Sequence, residues 1–263
     1  MTFKPIFKNL SKDLNKFETS VLLPIRQDKR MFNFLKGISK QKYSDFVLLI
    51  ANDSNEPYLK LEDFPKNLNF IFYHTPNERY STFQKLNFLA SVVKTPISAI
   101  TESDCVPSEN WLSDLVPIAK KEKSLIKGCE IRPLGWGSAN LVFQSEILKK
   151  VGYDLGADLF GDYEFGYNVQ RHGYPVKYTG FKGAVIHDLT QNKPAFHRII
   201  PSAKADLYVS LKHRDQNLLK RKILRNFYIS FNYLAQALVI FALLPKYYFK
   251  VRKKNKLEKK KER

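Results

Sequence analysis

Short, almost uninterrupted apolar runs alternate along this chain with longer segments whose apolar residues recur every three or four positions. Residues 19–25 (TSVLLPI) form one such run, reaching its end at Pro24, and read as a buried strand. Residues 45–51 (DFVLLIA), 68–73 (LNFIFY) and 97–101 (ISAIT) read the same way. Between the first two, residues 30–40 place apolar side chains at 31, 34, 35 and 38, one face of a helix. A second helix fits 78–94, and NDSNEP after the second run is a turn. Strand and helix patterns in alternation predict an α/β domain with a mostly parallel, Rossmann-like sheet. Ligands bind such sheets at the carboxyl ends of the strands. Two of those ends carry acids: Asn52-Asp53 after the second strand and Glu102-Ser103-Asp104 after the fourth.

The second half is mixed. A helix is expected over 108–120, with strands near 125–131 and 138–144. Residues 145–151 read as a helix capped by Ser145 and ended by Gly152. Residues 162–172 read as another, with Gly173 just past its end. Strands near 174–178 and 183–187 follow, then an amphipathic helix over 203–219. No internal repeat is visible.

Composition narrows the class. A chain of 263 residues buries a real core, and 14% aromatic residues exclude a disordered chain. Two cysteines, Cys105 and Cys129, make no disulfide framework and fit a reducing compartment. The net charge of +19 first suggests nucleic acid, but its position argues otherwise. Residues 212–263 carry 16 Lys/Arg against 3 acids, so only +6 remains on residues 1–211. Between two basic stretches of that tail lies an apolar one, 227–249, an arrangement suited to an anionic membrane surface. No nucleic-acid partner is expected. The N-terminus lacks a continuous apolar h-region, so no secretory signal is read and a cytoplasmic location is expected.

The acids carry the candidate chemistry. Glu102 and Asp104, one residue apart in a turn, can face one hard divalent cation, Mg²⁺ or Mn²⁺, or can form a solvated acidic turn. Asp53 can hydrogen-bond a nucleobase or close an ordinary Asx-turn. Asp162, at a helix start, can cap that helix or serve as a general base, since the helix N-terminus keeps a carboxylate ionised. His187, ending GAVIHD, is either structural or completes a metal shell begun by carboxylates.

Taken in order, these pieces resemble the family 2 glycosyltransferases of the GT-A fold, over about residues 19–190. TSVLLPIRQ resembles the family's first strand and its Pro-Thr-Tyr-Asn turn. QKYSDFVLLIANDSNEP is similar to the strand ending in Asp-Asp-x-Ser, and AITESDCVPSENWLSDL to the strand ending in Asp-x-Asp. GSANLVFQSEILKKVGYD, GDYEFGYNVQRHGY and GAVIHD resemble the acceptor-side segment, the Glu-Asp-x-(Glu/Asp) helix and the late strand ending in His. The resemblance implies an inverting enzyme that moves a sugar from a nucleoside-diphosphate sugar to a hydroxyl of a glycan or lipid-linked acceptor. Pro24 and Ile25 would line the nucleotide pocket, and Asp53 would contact the base. Asp104 would be the main metal ligand, with Glu102 near the ribose or metal and His187 completing the shell. Asp162 would be the catalytic base. Asn140 and Glu164 would lie on the acceptor side, and Trp136 would offer a stacking face for a sugar or else be a core or rim residue. Asn52, Glu102 and Gly161 stand where the family carries the first acid of each pair, and Arg26-Gln27 replace its Tyr-Asn. A binding protein without turnover on the same fold is the alternative.

Three regions follow: an N-terminal extension (1–18), the GT-A domain (19–211) and a membrane-associating C-terminal region (212–263). Residues 227–244 give 18 largely apolar residues, interrupted by Asn232 and Gln236 and flanked on both sides by bases. A spanning helix needs about 20 residues. A single span would also put one basic cluster outside, against the positive-inside tendency. An interfacial helix or shallow hairpin on the cytoplasmic face is therefore favoured over a span, with a soluble docking helix as the remaining reading.

Overall fold

The structure, a computed structural model, describes residues 3–187 apart from 58, 77, 132–139 and 157–160. In chain order the strands are β1 (Lys4–Asn9), β2 (Thr19–Ile25), β3 (Phe46–Asn52), β4 (Phe70–His74), β5 (Ile97–Ile100), β6 (Cys105–Pro107), β7 (Leu125–Lys127), β8 (Glu130–Ile131), β9 (Leu141–Gln144), β10 (Val176–Tyr178) and β11 (Val185–His187). The helices are α1 (Met31–Ile38), α2 (Thr82–Val92), α3 (Trp111–Lys121), α4 (Ser145–Val151) and α5 (Gly161–Arg171).

The four apolar runs form the centre of an eight-stranded sheet ordered β1-β4-β3-β2-β5-β9-β7-β10. β2 pairs in parallel with β3 and β5, and β3 with β4. These strands read as continuous apolar runs because both faces are covered. Along β2, Val21, Leu23 and Ile25 enter one core cluster with Met31, Phe34 and Trp111, while Leu22 enters the other with Leu86, Leu89 and Phe165. The apolar face of α1 (Met31, Phe34, Leu35, Ile38) is buried as its period requires. Pairing of β2 with β5 stops at Leu22 and Ile100, so Pro24 lies past the part of β2 bonded on both sides and leaves no β5 partner waiting for an N–H.

Away from this centre the sheet is mixed. β9 runs antiparallel to both β5 and β7, and β10 parallel to β7. The edge strand β1, antiparallel to β4, comes from residues read in sequence as an extension. Its KPIFKN is mostly exposed, and lysines with a proline protect a sheet edge from further pairing. Phe3, just before it, is buried and stacks on Phe88 at 4.5 Å.

One expected cap is corrected. The residue before α4 is Gln144; Ser145 lies inside the helix, and its hydroxyl meets that of Ser98 at 2.8 Å. Gly152 and Gly173 do end their helices with positive φ, 63° and 84°. The helix expected over 203–219, the apolar stretch 227–249, the basic tail and Trp136 lie outside the described residues. Among the described residues no helix is long and apolar enough to cross a membrane.

Candidate active site

The Glu102-Ser103-Asp104 turn is tight, with the Cys105 amide donating to the Glu102 carbonyl at 3.1 Å, and it sends the chain from β5 into β6. β6 pairs antiparallel with β11 in a separate three-stranded sheet, with Cys105 opposite His187. This register carries His187 across 83 residues of sequence to Asp104, Nε2 lying 2.8 Å from Oδ2. Ligand atoms of Glu102, Asp104, Cys105 and His187 all lie within 4.8 Å of one another. The Cys105 thiol is buried and donates weakly to Asp104 Oδ1 at 3.8 Å.

The donor set fits a divalent cation. Two carboxylates and an imidazole suit Mg²⁺ or Mn²⁺. An ionised carboxylate only accepts, so His187 carries its proton on Nε2 in this arrangement. The opposite nitrogen, Nδ1, is buried without a hydrogen-bond partner among the described residues, so only the Asp104 bond is seen to favour this tautomer. Moving the proton to Nδ1 frees Nε2 as a ligand.

A second group faces Asp104 that motif reading had passed over. The loop after β2 bears Asp28 and Arg30. Arg30 grips Asp28 bidentately (Nε to Oδ1 and Nη2 to Oδ2, both 2.9 Å), and its Nη1 reaches Asp104 Oδ2 at 3.2 Å. Asp28 also accepts from the Ser103 hydroxyl at 3.0 Å. Burial opposes its ionisation, but the bonds from Arg30 and Ser103 hold its carboxyl below the usual range. β2 and β5 are neighbours, so their carboxyl-end loops meet. An Asp-x-Arg after the first strand, facing the acidic turn after its neighbour, was the available signal.

Asp53 is placed at the end of β3 and is buried. Its Oδ1 accepts from Lys85 Nζ and its Oδ2 from the Tyr80 amide, each at 2.8 Å. The same ammonium donates to the Ile25 carbonyl at 2.8 Å, tying β2, β3 and α2 together. Burial pushes the Lys85 pKa down, and Asp53 resists the shift. Beside it, Asn52 Nδ2 reaches Ser54 Oγ at 2.7 Å and His74 Nδ1 at 3.2 Å. Burial pushes the His74 pKa down, favouring a neutral ring whose Nδ1 can accept. An acid at position 52 would bring no donor and a second buried charge, which explains the Asn there.

Asp162 lies in the first turn of α5, half-buried. A Cβ at Gly161 would fall 2.4 Å from the Phe83 ring, so this helix start has no room for the Glu of the family motif. The Tyr153 ring stacks between Phe83 and Phe165, with centroids at 5.2 and 4.4 Å. Burial drives its phenol pKa well up, and the charges of Asp162 and Glu102 add to the shift. The charges of both acids thus act on this one buried hydroxyl.

Two expected acceptor residues lie inside the fold. Asn140 is fully buried, and its amide is consumed inside the fold: Oδ1 accepts from the Trp111 indole at 2.7 Å, and Nδ2 donates to the Cys129 and Gly183 carbonyls at 2.8 and 2.7 Å. Glu164 is likewise buried, accepting from Asn168 one turn along. Neither side chain is exposed to meet an acceptor.

No family model and no curated protein sequence matches the chain. Solved structures do. Residues 1–349 of S. aureus TarS in complex with UDP-GlcNAc superpose with a TM-score of 0.61 at 12% identity, covering 74% of this chain and 66% of that one. The mannosyltransferase PcManGT from Pyrobaculum calidifontis, in complex with GDP-Man and Mn²⁺, gives 0.61 at 16% identity, covering 79% and 68%. GalNAc-T7 with UDP, GalNAc and Mn²⁺ gives 0.58 at 15%, covering 75% and 49%. Against the longer TarS structure the chain spans 37% of that protein's length. The architecture of the described residues is that of the GT-A glycosyltransferases.

Proposed function

We propose that the protein is a metal-dependent, inverting glycosyltransferase that transfers a sugar from a nucleoside-diphosphate donor to a hydroxyl of a glycan or lipid-linked acceptor. The observation that carries this reading is the convergence, at the carboxyl ends of a GT-A sheet, of Glu102, Asp104 and His187 within one cluster. Asp104, with Glu102 and His187, would hold Mn²⁺ or Mg²⁺. When bound, the ion neutralises charge developing on the leaving diphosphate. Pro24 and Ile25 end the strand beneath the nucleotide, and Asp53 with Lys85 forms the floor of the base pocket. Asp162 accepts the proton of the attacking hydroxyl, which approaches the anomeric carbon from the face opposite the leaving group. A single displacement of this kind inverts configuration and needs no covalent intermediate.

Residues 212–263, basic on both sides of an apolar stretch, support docking on an anionic, cytoplasmic membrane face where a lipid-linked acceptor would be presented. Trp136 remains the candidate stacking platform. The test is transfer or donor hydrolysis across a panel of UDP- and GDP-sugars with Mn²⁺. Wild type should turn over, and Asp162→Asn should lose about 10²- to 10⁴-fold. Turnover unchanged in Asp162→Asn would remove the assigned base. The closed pairing of Asp53 favours, as the second reading, a nucleotide-sugar-binding protein; saturable donor binding with no turnover on any donor would select it.

A further inference from the structure

Asp28 and Arg30 have no part in the roles assigned above, yet Arg30 touches the central residue of the proposed metal site. Asp104 Oδ2 receives a hydrogen bond from His187 Nε2 at 2.8 Å and pairs with the Arg30 guanidinium, Nη1 lying 3.2 Å away. A cation approaching this oxygen would meet positions already engaged. The guanidinium does not drift there on a free side chain. Asp28 fixes it through Nε and Nη2, leaving Nη1 to project at Asp104. Arg30 and Asp104 are only 16% and 14% exposed, so water screens their charges little.

We propose that Arg30 is the resident cation of the metal site: it holds Asp104 in the nucleotide-free protein, opposes binding of a lone divalent ion, and turns to the diphosphate when nucleotide and metal bind together. The inference rests on the donor-and-metal reading given above. An ion bound to the same carboxylate oxygen stands beside the guanidinium, and the two positive charges repel. A nucleoside diphosphate reverses that sign. Its oxygens would offer negative charge to both cations, and the planar fork of an arginine matches phosphate oxygens better than a point charge does. Asp28 keeps the guanidinium in place during the exchange, so little rotamer freedom is lost. Arg30 thereby couples the two ligands, and the coupling is reciprocal: whatever nucleotide gains from metal, metal gains from nucleotide. The plainer role, anchoring the β2–α1 loop to the acidic turn, predicts no such coupling.

The experiment titrates free Mn²⁺ by electron paramagnetic resonance against wild type, Arg30→Gln and Arg30→Lys, alone and with saturating UDP or GDP. Circular dichroism and melting confirm that each variant folds, and Arg30→Met replaces the Gln variant if that one does not. In wild type, Mn²⁺ alone should bind weakly and tighten about 5- to 150-fold with nucleotide, the usual span of coupling between sites. Arg30→Gln should bind Mn²⁺ alone about tenfold more tightly and lose most of the nucleotide effect, within that same span. Arg30→Lys, which keeps the charge, should stay near wild type for Mn²⁺ alone. Equal Mn²⁺ affinity and equal nucleotide effect in wild type and Arg30→Gln would overturn the inference while leaving the metal site standing. No Mn²⁺ binding by any protein, with or without nucleotide, would overturn the donor-and-metal reading and the inference together.

Discussion

Asp53 and Asp104 end adjacent regions of one sheet, and each meets a cation of the chain itself, but their surroundings make them different instruments. Asp53 and Lys85 are sealed, with side-chain exposures of 0% and 5%, and both Asp53 oxygens are spent on groups that hold β2, β3 and α2 together. Asp104 is 14% exposed and sits in a cluster of four potential ligands, with His187 and Arg30 against its Oδ2. A buried charge pair that loses one member leaves the other uncompensated, whereas a carboxylate that shares its partner with a second acid can exchange partners at smaller cost. The contrast teaches that acids at two strand ends can be put to different uses: one is closed into the core, and the other stands in the cluster proposed to hold a metal.

The largest expected effect lies in activity at the open pole. Asp104→Ala should lower metal-dependent turnover on the order of 10³-fold, the scale for removing one electrostatic stabiliser of developing charge, while stability falls by less than in Asp53→Ala, because Arg30 keeps Asp28 as its partner. Steady-state assays beside denaturant melts check both halves. The closed pole should behave in the opposite sense. Asp53→Ala should cost about 3–5 kcal/mol of stability, because it strands the Lys85 ammonium in the core. The double variant Asp53→Leu/Lys85→Met should recover most of that loss, and urea melts of the three proteins would show it. A stable Asp53→Ala with lost nucleotide binding would erase the contrast drawn here.

The packing that brings α5 to the site offers a smaller effect. Gly161→Ala forces a methyl into the Phe83 ring and should cost about 1–3 kcal/mol, with partial recovery in Phe83→Leu. Smallest is a pH effect remote from both acids. The bonds from Lys120 and then Tyr43 hold Glu18 below its ordinary value of 4.5. A depressed carboxylate contributes stability above its unfolded pKa and loses it as pH falls through the folded value. Wild type should therefore lose stability below about pH 4.5, and Glu18→Gln should flatten that limb by less than about 1 kcal/mol.

The sequence made the central strands legible because each is a short apolar run bounded by turn residues, as strands covered on both faces are. It hid β1, whose exposed lysines carry no period, and β6, three residues folded into the acidic turn. The acids after β3 and β5 stood out as strand-end turns, yet their partners did not. Lys85 looks like any helix lysine until α2 packs over Asp53, and Arg30 reaches Asp104 only because β2 and β5 are neighbours. The partners of Asn140 were hidden for the same reason. The residue that claims it is Trp111, whose buried indole N–H needs an acceptor. Patterns along the chain report what each residue wants from its surroundings; pairings between distant residues come from the topology.

The central claim is that the Asp104 cluster binds a divalent ion together with a nucleotide sugar. Thermal melting of wild type and Asp104→Ala, with Mn²⁺, with UDP- and GDP-sugars, and with both, tests it most directly. At ligand about 100-fold above its dissociation constant, wild type should gain roughly 5–10 °C when a cognate sugar nucleotide and Mn²⁺ are present together, and much less with either alone. Asp104→Ala should gain nothing from the combination. No joint stabilisation with any donor, or the same gain in Asp104→Ala, would contradict the claim.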